Sequence, residues 1–328
     1  MSAPDPGPAL SVILPTDTYE TVRNELAALR RQTVRDQLEI VIVTDSLARL
    51  GPENGAREGF HSFTVAEVEG LYPMYRARAE GIRAAHAPVI LLAETHAYPE
   101  PRHCETLIRA HQGDYAVVGP AMANANPATM RSWAGLYMDY GPWVDPTRAG
   151  LVDVLPGHNS SYKRAVLLAY GDQLESMMLS SPRRHADLRA RGHRLYLEPS
   201  ARTLHLNVSR FWSWLEERLV GGRSFAGARA HHWGLGRRLL YAVGSPLIPV
   251  VRLGRILRDM RRSRSLGFIL AALPALSVSL VVSAVGEGLG YALGVGRAMH
   301  RVNEMEVHKE QYVRRADHPD VTGVTAGA

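Results

Sequence analysis

An acidic side chain and an imidazole follow directly on an apolar run. Glu94 and His96 come just after Val89–Leu92, whose apolar residues predict a buried strand. On an extended segment both side chains can turn toward one cation, and a carboxylate with an imidazole suits Mn²⁺ or a similar divalent ion. Such a cation would neutralise a leaving nucleoside diphosphate, whose oxygens gain charge as a glycosidic bond breaks. Taken alone, the spacing is more typical of a solvated loop.

Strands and helices alternate through the region that must position these residues. Apolar runs and helical periodicity predict strands at 10–14, 40–43, 63–68 and 89–92, with helices at 22–29 and 74–86. This order predicts an α/β fold with a mostly parallel sheet flanked by helices. Because loops after parallel strands share one edge, Asp45 and Glu94 are expected there.

The alternation continues less regularly up to residue 207. The predicted elements are a helix at 102–112, a strand at 115–118, a helix from 181 to 192 and strands at 195–197 and 203–206. Ser181 and Pro182 are typical of a helix start, and Gly192 of a helix end. The stretch 124–156 is rich in loop-forming residues and is where an acceptor-side insertion is expected.

The composition permits one large α/β domain with an appended segment. The chain has 328 residues, 46% of them hydrophobic, and its one cysteine, Cys104, excludes an internal disulfide and suits a reducing compartment. The first eight residues lack the features of a signal peptide. The net charge is +6, and many arginines lie after residue 200 beside apolar stretches. Since no nucleic-acid motif is present, this skew favours a membrane surface as partner and not nucleic acid.

The last third has the composition of membrane-associated helices. Aromatic and charged residues interleave at 211–218, as on an interfacial helix. After an apolar stretch at 241–257, the segment 266–286 has 21 residues without a charge, enough to span a bilayer. Pro274 and arginines at both ends fit an interfacial hairpin equally well, and a buried hairpin in a soluble dimer is a third interpretation. The polar tail at 303–328 is expected to be disordered.

Four short segments occur in an order that resembles one enzyme family. They are SVILPT at 11–16, IVTD at 42–45, ARAEG at 77–81 and LLAETH at 91–96, followed by Pro99. Together they resemble the family-two glycosyltransferases of the GT-A fold. The resemblance implies an inverting enzyme that uses a nucleotide-sugar donor with Mn²⁺ or Mg²⁺. The expected organisation is a GT-A domain at 1–207 followed by membrane-associated helices at 208–302.

The resemblance implies roles for residues near the nucleotide. Pro15 and Thr16 match the nucleotide-binding strand end, and Asp45 matches the carboxylate that reads the base or ribose. Ordinary turn chemistry is the alternative for all three. Arg78 matches an arginine near the nucleotide, although a solvated helix arginine has the same sequence signal.

Metal ligands follow from the same resemblance. Glu94 and His96 occupy the outer positions of the family's Asp-x-Asp motif, in a variant in which the histidine can ligate the metal. His205, after the last core strand, resembles a late histidine that supplies a further ligand. A structural histidine is the alternative there.

The segment 156–164 resembles the part of the family that lines the donor sugar. Gly157 allows close approach of the backbone, and His158 and Asn159 can hydrogen-bond to hydroxyl groups. A polar turn before the next helix explains the same residues without a ligand.

The catalytic base is the main departure from the family. Inverting members carry an acidic residue near the start of the helix that ends here at Gly192, where this chain has Ser180 and Ser181. A serine cannot take the proton of an acceptor hydroxyl at neutral pH. Glu175 is the first replacement that we consider, Asp187 is the second, and the absence of a base is the third.

The expected function is transfer of a single sugar, with inversion, to a lipid-linked or membrane-proximal acceptor. This reaction would serve glycan or cell-envelope polysaccharide synthesis at the cytoplasmic face of the cell membrane. No Gln-x-x-Arg-Trp segment follows the core, which favours single transfer over processive synthesis. The alternative is a catalytically degenerate, membrane-bound binding partner. A dinucleotide-dependent oxidoreductase is disfavoured, because 15–18 lack the glycines that admit a pyrophosphate.

Overall fold

The computed structural model describes residues 7–53 and 55–320, which form a mixed α/β fold. Nine strands in this part of the chain belong to one sheet. They are β1 (Leu10–Pro15), β2 (Leu38–Thr44), β3 (Ser62–Glu67), β4 (Val89–Leu92), β5 (Ala97–Pro99), β6 (Val117–Asn124), β7 (Gly150–Leu151), β8 (Ser161–Lys163) and β9 (Leu195–His205). The strands predicted before Glu94 are confirmed as β1 to β4.

The sheet is parallel in one half and contains antiparallel pairs in the other. Its order is β3-β2-β1-β4-β8-β6-β9-β5, with β7 paired to β9. β1, β2, β3 and β4 run parallel, whereas β8 is antiparallel to both β4 and β6. The expected parallel arrangement therefore holds for β1 to β4. The strand β8, inserted in the opposite direction beside β4, was not predicted.

Helices cover the sheet and form a second unit. They are α1 (Arg23–Arg30), α2 (Leu47–Leu50), α3 (Met74–Ala84), α4 (His103–Ala110), α5 (Met130–Tyr140), α6 (Arg164–Leu168), α7 (Leu174–Met178), α8 (Ser181–Ala190), α9 (Phe211–Arg229), α10 (Leu235–Gly244), α11 (Ile248–Met260), α12 (Leu266–Leu293) and α13 (Ala298–Val307). β1 and β2 are buried at every position, as their apolar sequences predict. A Cβ on Gly81 of α3 would lie 2.4 Å from the Ile13 side chain, so α3 packs closely on β1.

The chain divides into two compact units. Among the described residues, the sheet unit takes 7–123, 145–204 and 320, and the helical unit takes 124–144 and 205–319. The longer segment of the helical unit begins at His205, the last residue of β9. The unit also takes part of the stretch 124–156, which was expected to be loop-rich but contains the helix α5.

The helical unit is organised around close contact between α9 and α12. A Cβ on Gly222 would lie 2.2 Å from the Ser283 carbonyl oxygen, and one on Gly286 would lie 2.1 Å from the Leu219 carbonyl oxygen. Only glycine lets the two backbones approach so closely. α9, expected as an interfacial helix, is therefore packed along one side, and its Trp214 is buried.

Two sequence expectations differ from the structure in the later part of the chain. The separate strands expected at 195–197 and 203–206 are one strand, β9. The tail expected to be disordered from 303 continues as α13 and two short 3₁₀ turns, and buried Val313 and Asp317 pack it against the rest of the unit. Residues 1–6 and 321–328 lie outside the described residues.

Candidate metal centre

The carboxyl ends of three parallel strands meet at one edge of the sheet. Thr16 follows β1, Asp45 follows β2, and Glu94 lies two residues after β4. The Ala93 N–H donates to the Ile13 carbonyl oxygen over 3.2 Å, so the chain is still held by β1 as it leaves β4. Neighbouring strands lie about 4.8 Å apart, which puts the backbones that carry Asp45 and Glu94 about 10 Å apart. The expectation that both lie on this edge is confirmed.

Glu94, His96 and His205 form a buried cluster of possible metal ligands. Their exposed fractions are 5%, 1% and 2%, and one ligand atom from each lies within 4.8 Å of the others. Thr95 Oγ1 lies 3.3 Å from Nδ1 of His96, and Nε2 of the same ring lies 4.0 Å from Glu94 Oε1. One carboxylate and two imidazoles suit a divalent transition-metal ion such as Mn²⁺. The residues therefore fit a divalent cation.

Both oxygens of Glu94 accept hydrogen bonds from the segment before β8. His158 Nδ1 bonds to Oε1, and Asn159 Nδ2 donates to Oε2 over 2.7 Å. The reason is the direction of β8: its Ser161 pairs with Leu91 in antiparallel register, so the residues before β8 pass the end of β4. Asn159 has a φ of 60°, in the left-handed region that asparagine tolerates better than most residues.

Arg78 extends this set of contacts through His158. Its Nη1 lies 3.0 Å from Nε2 of His158. Because a guanidinium only donates, Nε2 must accept, and Nδ1 carries the hydrogen that is donated to Glu94. Arg78, His158 and Asn159 are thus brought together around Glu94. Their predicted contacts with a donor sugar or nucleotide stay predictions.

Residues that the sequence analysis did not single out orient His205. Nδ1 of His205 lies 3.0 Å from Oδ1 of Asn207, whose Nδ2 donates to the His205 carbonyl oxygen over 3.0 Å and to Asn124 Oδ1 over 3.1 Å. Nδ1 therefore carries the ring hydrogen, and Nε2 keeps its lone pair for a cation. Asn126 Oδ1 accepts from the Asn207 N–H over 3.0 Å. The only sequence signal was that Asn207 lies two residues after His205.

The charge of Glu94 affects the pKa of a second buried carboxyl group. Glu25 on α1 is 1% exposed. Burial raises its pKa well above the usual range, the negative charge of Glu94 raises it further, and Arg31 opposes both effects. The two carboxyl groups therefore repel each other when both are ionised, and a cation bound at Glu94 would reduce that repulsion.

The residues expected near the nucleotide lie at the same edge. Pro15 ends β1, and the buried Thr16 donates its hydroxyl to the Thr18 carbonyl oxygen over 3.0 Å. The Asp45 carboxylate pairs with Arg49 on α2. The contacts of Pro15, Thr16 and Asp45 with a nucleotide stay predictions.

The likeness of this chain to known proteins is one of fold and not of sequence. The chain matches no known family profile and no curated protein sequence. It is similar in fold to the mannosyltransferase PcManGT from Pyrobaculum calidifontis in complex with GDP-Man and Mn²⁺, with 16% identity, a TM-score of 0.49, and coverage of 87% of this chain and 89% of that one. It is also similar to residues 1–349 of S. aureus TarS in complex with UDP, with 15% identity, a TM-score of 0.46, and coverage of 86% and 90%.

The start of α8 lies beside the glycine that precedes His158. A Cβ on Gly157 would lie 2.7 Å from Ser181 Oγ, so a larger residue at Gly157 would collide with that serine. Ser180 acts as the N-cap of α8, accepting from the Arg183 N–H over 3.4 Å. The hydroxyl of Ser181 therefore lies next to the backbone of Gly157.

The two acidic residues considered as replacement bases have other partners. Glu175 on α7 pairs with Arg76 at 3.7 Å and with Arg83 at 3.9 Å, both on α3. Asp187 on α8 accepts from the Tyr170 hydroxyl over 2.8 Å. Catalysis by either residue stays a prediction.

Proposed function

We propose that this protein is a metal-dependent glycosyltransferase of the inverting, family-two GT-A type. It would transfer a single sugar from a nucleotide-diphosphate donor. The observation that carries the proposal is the buried cluster of Glu94, His96 and His205 at the carboxyl edge of the parallel strands. When bound there, Mn²⁺ or Mg²⁺ would supply positive charge that neutralises the donor's diphosphate.

The chain's own residues would position the donor around this centre. His158 and Asn159 hydrogen-bond to the Glu94 carboxylate, and Gly157, which precedes them, has no room for a side chain beside Ser181. Asp45 follows β2, which lies two places from β4 in the sheet, and it would contact the base or the ribose of the donor. The arrangement supports donor binding more directly than it supports the transfer step.

The test of the metal and donor site is a thermal-shift screen. The protein is heated with each nucleoside diphosphate, with and without Mn²⁺, because a ligand that binds the folded state raises the unfolding temperature. A shift that needs both components is expected for the wild type and is expected to be absent in Glu94→Ala. Glu58→Ala, at an exposed position, is the control that should keep the shift. Equal shifts in Glu94→Ala would refute the site.

A second candidate function is a catalytically inactive, membrane-bound partner of another transferase. Ser180 and Ser181 at the start of α8, and the partners of Glu175 and Asp187, favour it. It predicts donor binding without turnover. The test is the release of nucleoside diphosphate in the presence of acceptor extracts. Release that is lost in Glu175→Gln or in Asp187→Asn, and kept in Glu58→Gln, would exclude this candidate and identify the base.

We further propose that the acceptor is lipid-linked or membrane-proximal, and that the helical unit binds the cytoplasmic face of the cell membrane. By length and composition, 235–260 and 266–293 could each cross a membrane. Large apolar side chains on α10, α11 and α12 are exposed, Val243 by 80%, Val250 by 72% and Leu266 by 70%. So much exposed apolar surface is typical of a membrane or protein contact.

The packing of α12 supports attachment to one face of the membrane and not a crossing. Buried positions on this helix extend from Ile269 to Tyr291, about 33 Å of helix, which is about the thickness of a bilayer core. α12 packs against α9, whose Glu217 and Arg218 form ion pairs that include Asp139. A crossing would carry these charges into hydrocarbon, at a high cost in free energy.

Flotation with anionic vesicles tests the membrane contact. Val243→Asp and Leu247→Asp should reduce binding, whereas Leu151→Asp, exposed by 57% on the sheet unit, should not.

Cysteine labelling tests whether α12 crosses the membrane. The substitutions Arg261→Cys and Arg297→Cys, on either side of α12, should be labelled from the same side of sealed membranes. Labelling from opposite sides would show a crossing.

A further inference from the structure

A cavity of about 700 Å³ lies within the helical unit. Its lining comes from α5, α9, α10, α11, α12 and α13. The volume is within the range of small-molecule sites. Its lining combines charged groups with exposed apolar side chains.

The carboxylates that line the cavity already have basic partners. Arg218 binds both oxygens of Asp139 at 3.0 Å and Glu217 at 2.6 Å. Arg252 lies 3.1 Å from Glu287. The fourth carboxylate, Glu306, pairs with Lys309 over 2.9 Å. The negative charge of the lining is therefore compensated within the unit itself.

Two arginines of the lining have no carboxylate within ion-pair distance in the described chain. Arg229 stacks on Trp233 and Tyr241, and its hydrogen bond is to the Tyr291 hydroxyl at 3.5 Å. Arg255, on α11, is exposed and makes neither a hydrogen bond nor an ion pair with any described residue. Arg255 is therefore the lining cation that pairs with no described side chain, whereas the charge of Arg229 also acts on Glu287.

Apolar side chains line the same cavity and are open to solvent. Phe225 is exposed by 58%, Leu247 by 69% and Val251 by 55%. They come from α9, α11 and the turn before α11. A wholly polar ligand would leave these side chains in contact with water.

We propose that this cavity binds one amphiphile that carries a phosphate monoester headgroup. Arg255 would bind the phosphate, since a guanidinium matches its geometry with paired hydrogen bonds. Phe225, Leu247 and Val251 would contact the start of the hydrocarbon chain. The proposal goes beyond the sugar transfer and depends on neither the metal centre nor the transfer step.

The test uses titration calorimetry of the full chain with a short-chain lipid below its micelle concentration. Dioctanoyl phosphatidic acid is the probe, and sn-glycerol 3-phosphate and dioctanoyl phosphatidylcholine are the comparisons. We expect the probe to bind at least tenfold more tightly than either. Equal binding of glycerol phosphate would overturn the role of the chain, and equal binding of phosphatidylcholine would overturn the role of the phosphate.

Two pairs of variants locate the site. Arg255→Gln should weaken phosphatidic acid binding at least fivefold, whereas Arg258→Gln, exposed on the same helix outside the lining, should not.

Gly221→Leu fills the cavity from α9, because no atom lies within 4 Å of a Cβ there, and should abolish binding. Gly254→Leu, equally open but outside the lining, is its control. Unchanged binding in Gly221→Leu, with the melting temperature retained, would overturn the proposal.

Discussion

Asn159 donates its side-chain amide to Glu94 over 2.7 Å while its backbone has a φ of 60°. The residue therefore serves both the candidate metal centre and a left-handed turn. Asn159→Gly should keep the turn and lose the hydrogen bond, lowering Mn²⁺ affinity about 10- to 100-fold, as is typical when a ligand loses its outer partner. Calorimetric titration with Mn²⁺ measures this.

Asn159→Ala separates the backbone from the hydrogen bond. It should lose the same Mn²⁺ affinity and also destabilise the fold relative to Asn159→Gly by about 1 kcal/mol, because alanine is strained at positive φ. Urea denaturation without metal measures the difference. Equal stability of the two variants would contradict the role of the turn.

Asn207 fixes the ring of His205 and should matter for metal binding without touching the metal. Asn207→Ala should lower Mn²⁺ affinity about 10- to 100-fold, because Nδ1 of His205 loses its acceptor and the ring can turn. The same titration is used, with Gln311→Ala at an exposed position as the control. Unchanged affinity would contradict the role of Asn207 in orienting His205.

Two glycines of α12 should respond oppositely to the same substitution. Gly286→Ala places a methyl group 2.1 Å from the Leu219 carbonyl oxygen and should destabilise the helical unit by about 3 kcal/mol, the upper range for overpacking. Gly267→Ala meets nothing within 4 Å and should stabilise it by up to about 1 kcal/mol. Thermal unfolding followed by circular dichroism measures both. Similar effects would contradict the close α9 and α12 packing.

His185 should make the stability depend on pH. Burial, followed by the positive charge of Arg184, lowers the pKa of His185 to about 3, whereas an unfolded histidine takes up its proton near pH 6.5. The unfolded state thus binds more protons between these values. This contribution to stability is complete above about pH 6.5 and falls by about 1.4 kcal/mol per pH unit as the pH decreases toward 3.

The variant His185→Gln isolates this effect. It also changes contacts with Tyr162 and Leu155, so its stability should be lower at every pH. The readout is therefore the slope of unfolding free energy against pH, from urea titrations at pH 7.5, 6.0 and 5.0. The slope below pH 6.5 should be about 1.4 kcal/mol per pH unit smaller than in the wild type. An equal slope would show that His185 titrates normally.

The sequence by itself determined the parallel strands and the acidic edge at which they end. β4 is fully buried, and its apolar run predicts both the strand and the exit of Glu94 and His96 at its end. Such local patterns are readable because burial on both faces demands a continuous apolar run. The uncharged run at 266–286 stands out for another reason, its length, and it lies within α12.

Only the tertiary structure decided what surrounds Glu94 and His205. β8 has three residues, too few for a periodic signal, yet its antiparallel direction brings His158 and Asn159 to Glu94. Asn126 meets Asn207 across 81 positions of sequence. Contacts between distant residues leave no local pattern, because they depend on the direction and register in which the strands pair.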